Sequence, residues 1–227
     1  MKIIASDFDD TLYLKDDLEK TNDNIQSIKE FISKGNLFIL ITGRSYSNIK
    51  VLLNELDIPY SYLICEDGAK IFNNMDYCID TTYMKEEDIH KIINIIKDED
   101  YYLDDGYNET TNIKDTVKVV IRCKDKVKGN KLINLINNEV KTYIYASDKH
   151  INIIDKSINK QKGIEKLFYL EDLLFNNLYV IGDSDNDLEM LQKYNGGIIT
   201  KHSTNLDKLN IKNYDTLSSF INDINKN

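Results

Sequence analysis

Two aspartates near the start of the chain, Asp7 and Asp9, stand two positions apart directly after a short apolar run. In an extended segment such side chains point to the same side. Neighbouring carboxylates repel each other unless a cation or a proton lies between them, and Mg²⁺ accepts anionic oxygen ligands. One carboxylate can then act as a nucleophile while the other exchanges protons as a general acid and base. The competing interpretation is an acidic turn, because Asp is common at strand ends and helix starts.

Two further clusters offer groups that bind an anion. Thr42-Gly43-Arg44 supplies a hydroxyl and backbone N–H groups at a predicted strand-to-helix turn, where anions bind well. Lys162, followed by Gly163, lies at the predicted entry to a helix and can give a point charge to a phosphate oxygen. Each has an ordinary alternative, which is a helix cap with a turn glycine in the first case and a solvated surface lysine in the second.

A fourth cluster, GDSDND at positions 182–187, gathers oxygen ligands in the turn after an apolar strand. Asp183, Asn186 and Asp187 are its candidate site residues, because hard cations prefer such oxygen donors. A calcium-binding EF-hand loop needs Gly at its sixth position and Glu at its twelfth. Counted from Asp183, those positions hold leucine and tyrosine. The EF-hand interpretation is therefore excluded.

The four clusters lie where predicted elements begin or end. Apolar runs predict buried parallel strands at residues 2–6, 36–42, 62–66, 178–181 and 197–200. Helical spacing predicts helices at residues 21–34, 45–56, 162–174, 187–194 and 217–224. The alternation predicts an α/β fold with a doubly wound parallel sheet. Open α/β sheets bind ligands beyond the carboxyl ends of their strands, so we expect the clusters to meet at that edge.

The strand–helix rhythm changes after Gly68. Residues 69–155 show short alternating strands at 70–72, 77–82 and 116–123 and two more around 141–154, with helices at 86–97 and 128–140. Paired strands with two helices predict an α+β unit with a mainly antiparallel sheet. The parallel pattern then resumes. We therefore predict a catalytic core formed by residues 1–68 and 156–227, with residues 69–155 inserted into it.

The charge balance limits the classes of partner. Acidic residues outnumber basic ones by 38 to 29, a net charge of -9, which argues against a general nucleic-acid binder. The first residues hold too many acids for a signal peptide, and no apolar run is long enough to span a bilayer. We expect a cytoplasmic protein with no membrane partner, as a monomer or a dimer. The three cysteines form no CxxC pair and are expected to be reduced.

In their order along the chain, the clusters resemble the motifs of the haloacid dehalogenase superfamily, in particular its Cof-type branch with a type IIB cap. The matching segments are DFDDT (7–11), ITGR (41–44), KG (162–163) and GDSDND (182–187). The resemblance implies that Asp7 attacks phosphorus and becomes a phosphoaspartate. It also implies that Asp9 protonates the leaving group and then deprotonates the water that hydrolyses the intermediate. It implies Mg²⁺ held by Asp7, the backbone carbonyl of Asp9 and Asp183, with Asp187 close by or acting through water. It also implies phosphoryl contacts from a group of residues comprising Thr42, Gly43, Arg44, Lys162 and Asn186.

Three departures from the family pattern stand in the sequence. Asp10 replaces a glycine that is common in Cof-type first motifs. The hinge contains Asp67 where Asn is usual, and the stretch IITKHST (198–204) lacks the usual Asn-Ala. The cap is expected to supply the leaving-group pocket, although its aromatic residues can equally be core and its acids surface. The cap candidates are Tyr101, Tyr102, Asp104, Asp105, Tyr107, Asn108 and His150.

The predicted function is Mg²⁺-dependent hydrolysis of a small phosphorylated metabolite, such as a sugar phosphate, phosphoglycolate or a phosphorylated cofactor. A phosphomutase, which returns the phosphoryl group to the substrate, is an alternative within the same superfamily. A phosphate-responsive binding module akin to a receiver domain, or a relative that binds without catalysis, is an alternative of another class. The three histidines, His90, His150 and His202, are too scattered to indicate a zinc site.

Overall fold

A computed structural model of the protein describes residues 1–147, 149–199, 206 and 209–226. Its larger sheet has eight strands in the order β13-β12-β11-β1-β2-β3-β4-β5. The strands are β1 Ile3–Asp7, β2 Leu37–Ile41, β3 Tyr62–Cys65, β4 Lys70–Asn73, β5 Cys78–Thr81, β11 Leu178–Gly182, β12 Asn195–Ile199 and β13 Lys212–Tyr214. All neighbouring pairs from β13 to β3 are parallel, which confirms the predicted α/β fold.

Helices cover both faces of this sheet. They are α1 Leu18–Ser33, α2 Tyr46–Glu55, α5 Lys160–Leu170, α6 Leu188–Lys193 and α7 Leu217–Lys226. Successive strand residues point to opposite faces, and in β2 Phe38 and Leu40 join one apolar cluster while Ile39 and Ile41 join the other. Burial on both faces explains why the central strands are continuous apolar runs.

The hairpin β4–β5 belongs to the larger sheet and not to the inserted segment, where the sequence analysis placed it. β4 pairs antiparallel with β3, and β5 pairs antiparallel with β4. Phe72 and Ile71 are buried in the two apolar clusters on opposite faces of the sheet. The apolar side chains of this hairpin therefore complete the core beside β3, and the segment that forms a separate sheet begins only after Thr81.

We call residues 82–155 the inserted unit. Its five strands form an antiparallel sheet in the order β7-β6-β8-β10-β9, with an apolar core of its own. The strands are β6 Tyr101–Asp104, β7 Glu109–Thr110, β8 Lys118–Arg122, β9 Thr142–Ser147 and β10 His150–Asp155, and the helices are α3 Glu86–Ile96 and α4 Lys126–Glu139.

In the ranges that the structure describes, no helix is long and apolar enough to cross a membrane. Cys65, Cys78 and Cys123 are free, and of the three only Cys65 is fully buried.

Candidate active site

Three buried carboxylates meet at the carboxyl edge of the larger sheet. Asp7 is the last residue of β1, and Asp183 directly follows the adjacent parallel strand β11. Asp187 ends the 3-10 turn Asp185–Asp187 that follows. One oxygen from each of Asp7, Asp183 and Asp187 lies within 4.8 Å of the others. The topology thus brings the first and fourth sequence clusters together, as the sequence pattern predicted.

Neighbouring groups fix the orientation of two of these carboxylates. The Thr11 hydroxyl, which is fully buried, donates to Asp183 Oδ1 at 3.0 Å. Asp187 Oδ2 accepts the backbone N–H groups of Asp183 and Ser184, both at 3.1 Å. These bonds hold Asp183 through its Oδ1 and Asp187 through its Oδ2.

A lysine lies among the carboxylates, but it is Lys160 and not the predicted Lys162. Lys160 Nζ lies 2.5 Å from Asp7 Oδ1 and 2.7 Å from Asp187 Oδ1, and the residue is only 2% exposed. The exposed Lys162 Nζ instead donates to the carbonyl of Lys156 at 2.7 Å. Lys162 is therefore turned away from the carboxylates that the sequence analysis expected it to join.

The start of α5 explains which lysine reaches the site. Asn159 caps the helix by accepting the N–H of Lys162 at 2.8 Å, so Lys160 becomes the first helical residue. The helix then approaches the backbone of the 3-10 turn Glu66–Gly68 closely. A Cβ on Gly163 would lie 2.7 Å from the Gly68 Cα, a distance that real Cβ atoms do not adopt. The glycine of the predicted KG pair is thus needed for packing that inserts Lys160.

Burial and mutual charge set the ionisation of this cluster. Burial raises the pKa of Asp7 well above its ordinary value, with Lys160 opposing and the other two carboxylates adding to the shift. Burial, followed by repulsion from Asp187, raises the pKa of Asp183 to about 6. Burial disfavours the charged form of Lys160, but Asp187 and Asp7 outweigh it, and the pKa of Lys160 lies well above its ordinary value. The site therefore keeps a protonated lysine beside carboxylates that a further cation would stabilise.

The donor set fits a magnesium ion. Three close carboxylates offer only hard oxygen donors. Mg²⁺ and Ca²⁺ prefer such donors, whereas softer metals favour sulfur and imidazole ligands. The side chain of Asp9 is not part of the group. Both Asp9 oxygens are held by Arg44, whose Nε and Nη2 donate at 2.8 and 2.6 Å. Metal binding by Asp9 through its backbone carbonyl stays a prediction.

The turn Thr42–Arg44 follows β2 beside Asp7, and we call it the phosphate turn after the role predicted for it from the sequence. In the ladder Asp7 is opposite Ile41, the last residue of β2. The Thr42 hydroxyl accepts the N–H of Arg44 at 3.1 Å and is buried. Gly43 and Arg44 line the same cavity as Asp7 and Asp183, and Thr42 is the buried residue that joins them to β2.

Asn186 also reaches this edge, where it contacts the 3-10 turn after β3. Asn186 Nδ2 donates to Asp67 Oδ1 at 3.1 Å, and the Tyr145 hydroxyl of β9 donates to Asp67 Oδ2. Glu66 and Asp67 have left-handed φ angles of 52° and 55°. Asp67, the residue that departs from the family pattern, thus bridges the two parts of the molecule. One of its carboxylate oxygens accepts from Asn186 of the core, and the other accepts from Tyr145 of the inserted unit.

A cavity of about 880 Å³ lies above the carboxylates, between the core and the inserted unit. The inserted unit lines it with Tyr145, Ala146, His150 and Asn152. Of the cap candidates named from the sequence, only His150 belongs to this lining within the described part of the chain. His202 and most of the stretch 198–204 lie outside the described residues.

The other cap candidates have structural contacts elsewhere. Asp104 accepts the N–H of Gly106 at 2.7 Å, and Asp105 accepts those of Tyr107 and Asn108. Tyr101 packs against the core of the inserted unit, and Tyr102 stacks under a guanidinium. The composition of the Tyr101–Asn108 stretch therefore reflects packing and turns.

Lys160 was not predicted from the sequence, although the sequence contains a signal for it. Ile164 and Leu167 are buried in α5, and Lys160 lies four and seven residues before them, on the same helical face. Lys162 is rotated by about 200° from Lys160, because each helical residue turns about 100°. The sequence holds no comparable signal for Tyr145 and Asn152. They lie on strands of the inserted unit, and which side of these strands is turned to the core depends on how that unit docks.

Comparisons with known proteins agree with this geometry. The chain matches the haloacid dehalogenase-like hydrolase family over residues 4–105 and 101–214. It is 25% identical over 246 residues to a 5-amino-6-(5-phospho-D-ribitylamino)uracil phosphatase of Bacillus subtilis, which covers 85% of each chain. Among solved structures, a haloacid dehalogenase-like hydrolase from B. subtilis has a TM-score of 0.84 at 12% identity, covering 98% of this chain and 99% of that one. A sugar phosphatase of HAD subclass IIB has a TM-score of 0.80 at 14% identity, covering 99% of each. Because the family match includes all four clusters and most of the chain, the protein belongs to the haloacid dehalogenase-like hydrolases.

Proposed function

We propose that this phosphatase hydrolyses a small phosphomonoester through a phosphoaspartate on Asp7, with Mg²⁺ as its cofactor. One observation carries the proposal: Lys160 and three buried carboxylates converge at the sheet edge beneath a cavity. Phosphoryl transfer depends mainly on alignment and charge neutralisation. A buried cation beside a carboxylate nucleophile supplies both.

The proposed reaction has two displacements. In the first, a carboxylate oxygen of Asp7 forms a bond to phosphorus while the bond from phosphorus to the leaving oxygen breaks, and Asp9 donates its proton to that oxygen. In the second, Asp9 takes a proton from a water molecule whose oxygen attacks phosphorus. The bond to Asp7 then breaks and inorganic phosphate leaves, so that Asp7 is again a carboxylate and Asp9 again carries its proton.

The chain's own groups have distinct tasks in this scheme. Lys160 contacts Asp7 Oδ1, which favours the ionised nucleophile and leaves Oδ2 to attack. The Thr42 hydroxyl and the Gly43 N–H would bind phosphoryl oxygens. Arg44 grips Asp9 while that carboxyl is ionised, and we expect it to release Asp9 when Asp9 carries a proton.

Asp7, Asp183 and Asp187 are the residues that would hold Mg²⁺, which when bound would neutralise charge on the phosphoryl oxygens. Thr11 and the N–H groups of Asp183 and Ser184 orient these ligands. Asp187 shares its Oδ1 with Lys160, which favours an indirect role for Asp187 through water.

The leaving group is proposed to be a hydroxylated small molecule. The cavity wall offers hydrogen-bonding side chains from the inserted unit, namely Tyr145, His150 and Asn152. Two relatives act on such compounds by their names, a phosphorylated ribitylamino-uracil and a sugar phosphate. Sugar phosphates, phosphoglycolate and phosphorylated cofactors therefore remain the proposed substrate range.

The test is a panel of phosphorylated metabolites incubated with purified protein and Mg²⁺, with release of inorganic phosphate as the measurement. We expect turnover of at least one polyol or sugar phosphate, its loss on chelation, and its loss in Asp7→Asn. Asp23→Asn, an exposed substitution on α1, is the matched control and should leave turnover unchanged. Formation of an isomeric phosphate ester without free phosphate would identify a phosphomutase instead.

A further inference from the structure

Three consecutive carbonyl oxygens of the phosphate turn accept hydrogen bonds from groups outside the turn. The Thr42 carbonyl accepts the N–H of Asp67 at 3.0 Å, and the Arg44 carbonyl accepts that of Glu66 at 3.1 Å. Between them, the Gly43 carbonyl accepts Lys118 Nζ at 2.8 Å. Two of the three donors come from the backbone of the core, but the third is a side chain of the inserted unit.

Lys118 is built into this position. It begins β8, is only 5% exposed, and forms an ion pair with Glu66, which is fully buried. Burial disfavours its charged form, but Glu66 and Asp67 outweigh that effect and raise the pKa of Lys118 above its ordinary value. Lys118 therefore contacts the Gly43 carbonyl as an ammonium group, which makes the hydrogen bond a strong one.

The contact reaches the Thr42 hydroxyl through one peptide group. The Gly43 carbonyl and the Arg44 N–H belong to the same trans, planar peptide and point in opposite directions. That N–H donates to Thr42 Oγ1 at 3.1 Å. A hydroxyl that accepts there keeps its own hydrogen for another acceptor, which in the proposed function is a phosphoryl oxygen. Lys118 thus fixes the peptide that orients this hydroxyl.

We propose that Lys118 of the inserted unit is a positioning residue for the phosphate turn, which it holds through the Gly43 carbonyl. The inference rests on the proposed function, because the turn matters to catalysis only if Thr42 and Gly43 hold the phosphoryl group. The cavity wall where the leaving group is proposed to bind is lined by other residues, such as Tyr145 and His150. Loss of Lys118 should therefore lower kcat more than it changes KM.

The first experiment compares three single substitutions in the buried pair. Lys118→Met removes the donor to Gly43, and kcat should fall by about 10- to 100-fold while KM changes by less than about threefold. Lys118→Arg retains a cationic donor and should restore part of kcat. Glu66→Gln keeps Lys118 and the charge of Asp67 beside it, so kcat measured on the folded fraction should stay within about threefold of the unsubstituted protein.

A double variant separates positioning from folding. Lys118→Met leaves Glu66 buried without its cation and should destabilise the protein, whereas Glu66→Gln with Lys118→Met removes both charges. The double variant should recover the urea midpoint but keep the loss of kcat. Arg122→Met is the matched control, because Arg122 lies on the same strand and pairs with Asp100 and Glu109 inside the inserted unit. Its kcat should not change.

Calorimetric binding of orthovanadate in the presence of Mg²⁺ gives a readout independent of turnover. Binding should weaken in Lys118→Met and in the double variant, and stay unchanged in Glu66→Gln and Arg122→Met. Recovery of kcat and vanadate affinity together with stability in the double variant would overturn the inference. Failure of the proposed function would give a different result: a folded protein whose phosphate release is absent or does not depend on Asp7. In that case the comparison of vanadate binding still decides the role of Lys118.

Discussion

Replacing Lys160 by methionine should separate the lysine that serves the site from the neighbouring lysine that does not. Lys160 Nζ lies 2.5 Å from Asp7 Oδ1 and 2.7 Å from Asp187 Oδ1 in a position that is 2% exposed. Lys162 Nζ donates instead to the surface carbonyl of Lys156 at 2.7 Å. Lys160→Met and Lys162→Met therefore change the same side chain two residues apart with opposite expectations.

The structure sets the scale of the effect. At an effective dielectric constant near 20, a contact at about 2.6 Å corresponds to roughly 6 kcal/mol of attraction between unit charges. The cost of burying the ammonium cancels much of it, and removing one partner of a buried pair typically costs about 3–5 kcal/mol. If Lys160 holds the reacting groups in the transition state, a loss of that size slows turnover by about two to four orders of magnitude.

The assay is phosphate release at saturating Mg²⁺, corrected for the folded fraction measured by urea denaturation. Lys160→Met should lose at least about a hundredfold in kcat, while Lys162→Met should stay within about twofold, as for most surface substitutions. Equal losses in the two variants would refute the assignment. The assignment would also be refuted if folded Lys160→Met kept more than about a tenth of the activity. That result would correspond to less than about 1.4 kcal/mol of lost transition-state stabilisation.

Three further outcomes follow from buried groups. Thr11→Val removes the hydroxyl that donates to Asp183, so the Mg²⁺ concentration for half-maximal phosphate release should rise by about tenfold or more. Gly163→Ala places a Cβ 2.7 Å from the Gly68 Cα, and the urea midpoint should fall by the equivalent of about 1–3 kcal/mol; an unchanged midpoint would contradict the close approach. Burial raises the pKa of Glu66 from 4.5 to about 7, so the folded state binds this proton more tightly. Stability should therefore fall as pH rises across that interval, and Glu66→Gln should lack this part of the pH dependence in urea titrations at several pH values.

The parallel core and its acidic edge could be predicted from sequence because both depend on local patterns. The central strands are buried on both faces, so their sequences are continuous apolar runs. Asp7 and Asp183 follow the ends of adjacent strands in that sheet, and a doubly wound topology places such positions at one edge. Two local signals and one topological rule were enough.

The remaining features depend on pairing that no local pattern contains. The hairpin β4–β5 has short strands with turn residues, which fit an edge of the larger sheet as well as a separate unit. Lys162 followed by glycine matched the expected motif better than Lys160, and only the packing of α5 distinguishes them. The pair of Lys118 with Glu66 joins a strand of the inserted unit to a turn of the core, and it can be seen only once both are folded.

The left-handed pair Glu66 and Asp67 bears on how the two parts of the molecule can move. A non-glycine residue in that conformation costs roughly 1–2 kcal/mol, and here two stand in succession, at φ 52° and 55°. Hydrogen bonds from both backbone N–H groups to the phosphate turn offset this cost. A segment constrained in this way is too stiff to act as a swivel. Any rotation of the inserted unit that admits substrate should instead bend the two segments that connect it to the core, residues 82–85 and 156–159. A chimera that exchanges leaving-group specificity should therefore have its junctions in these two segments.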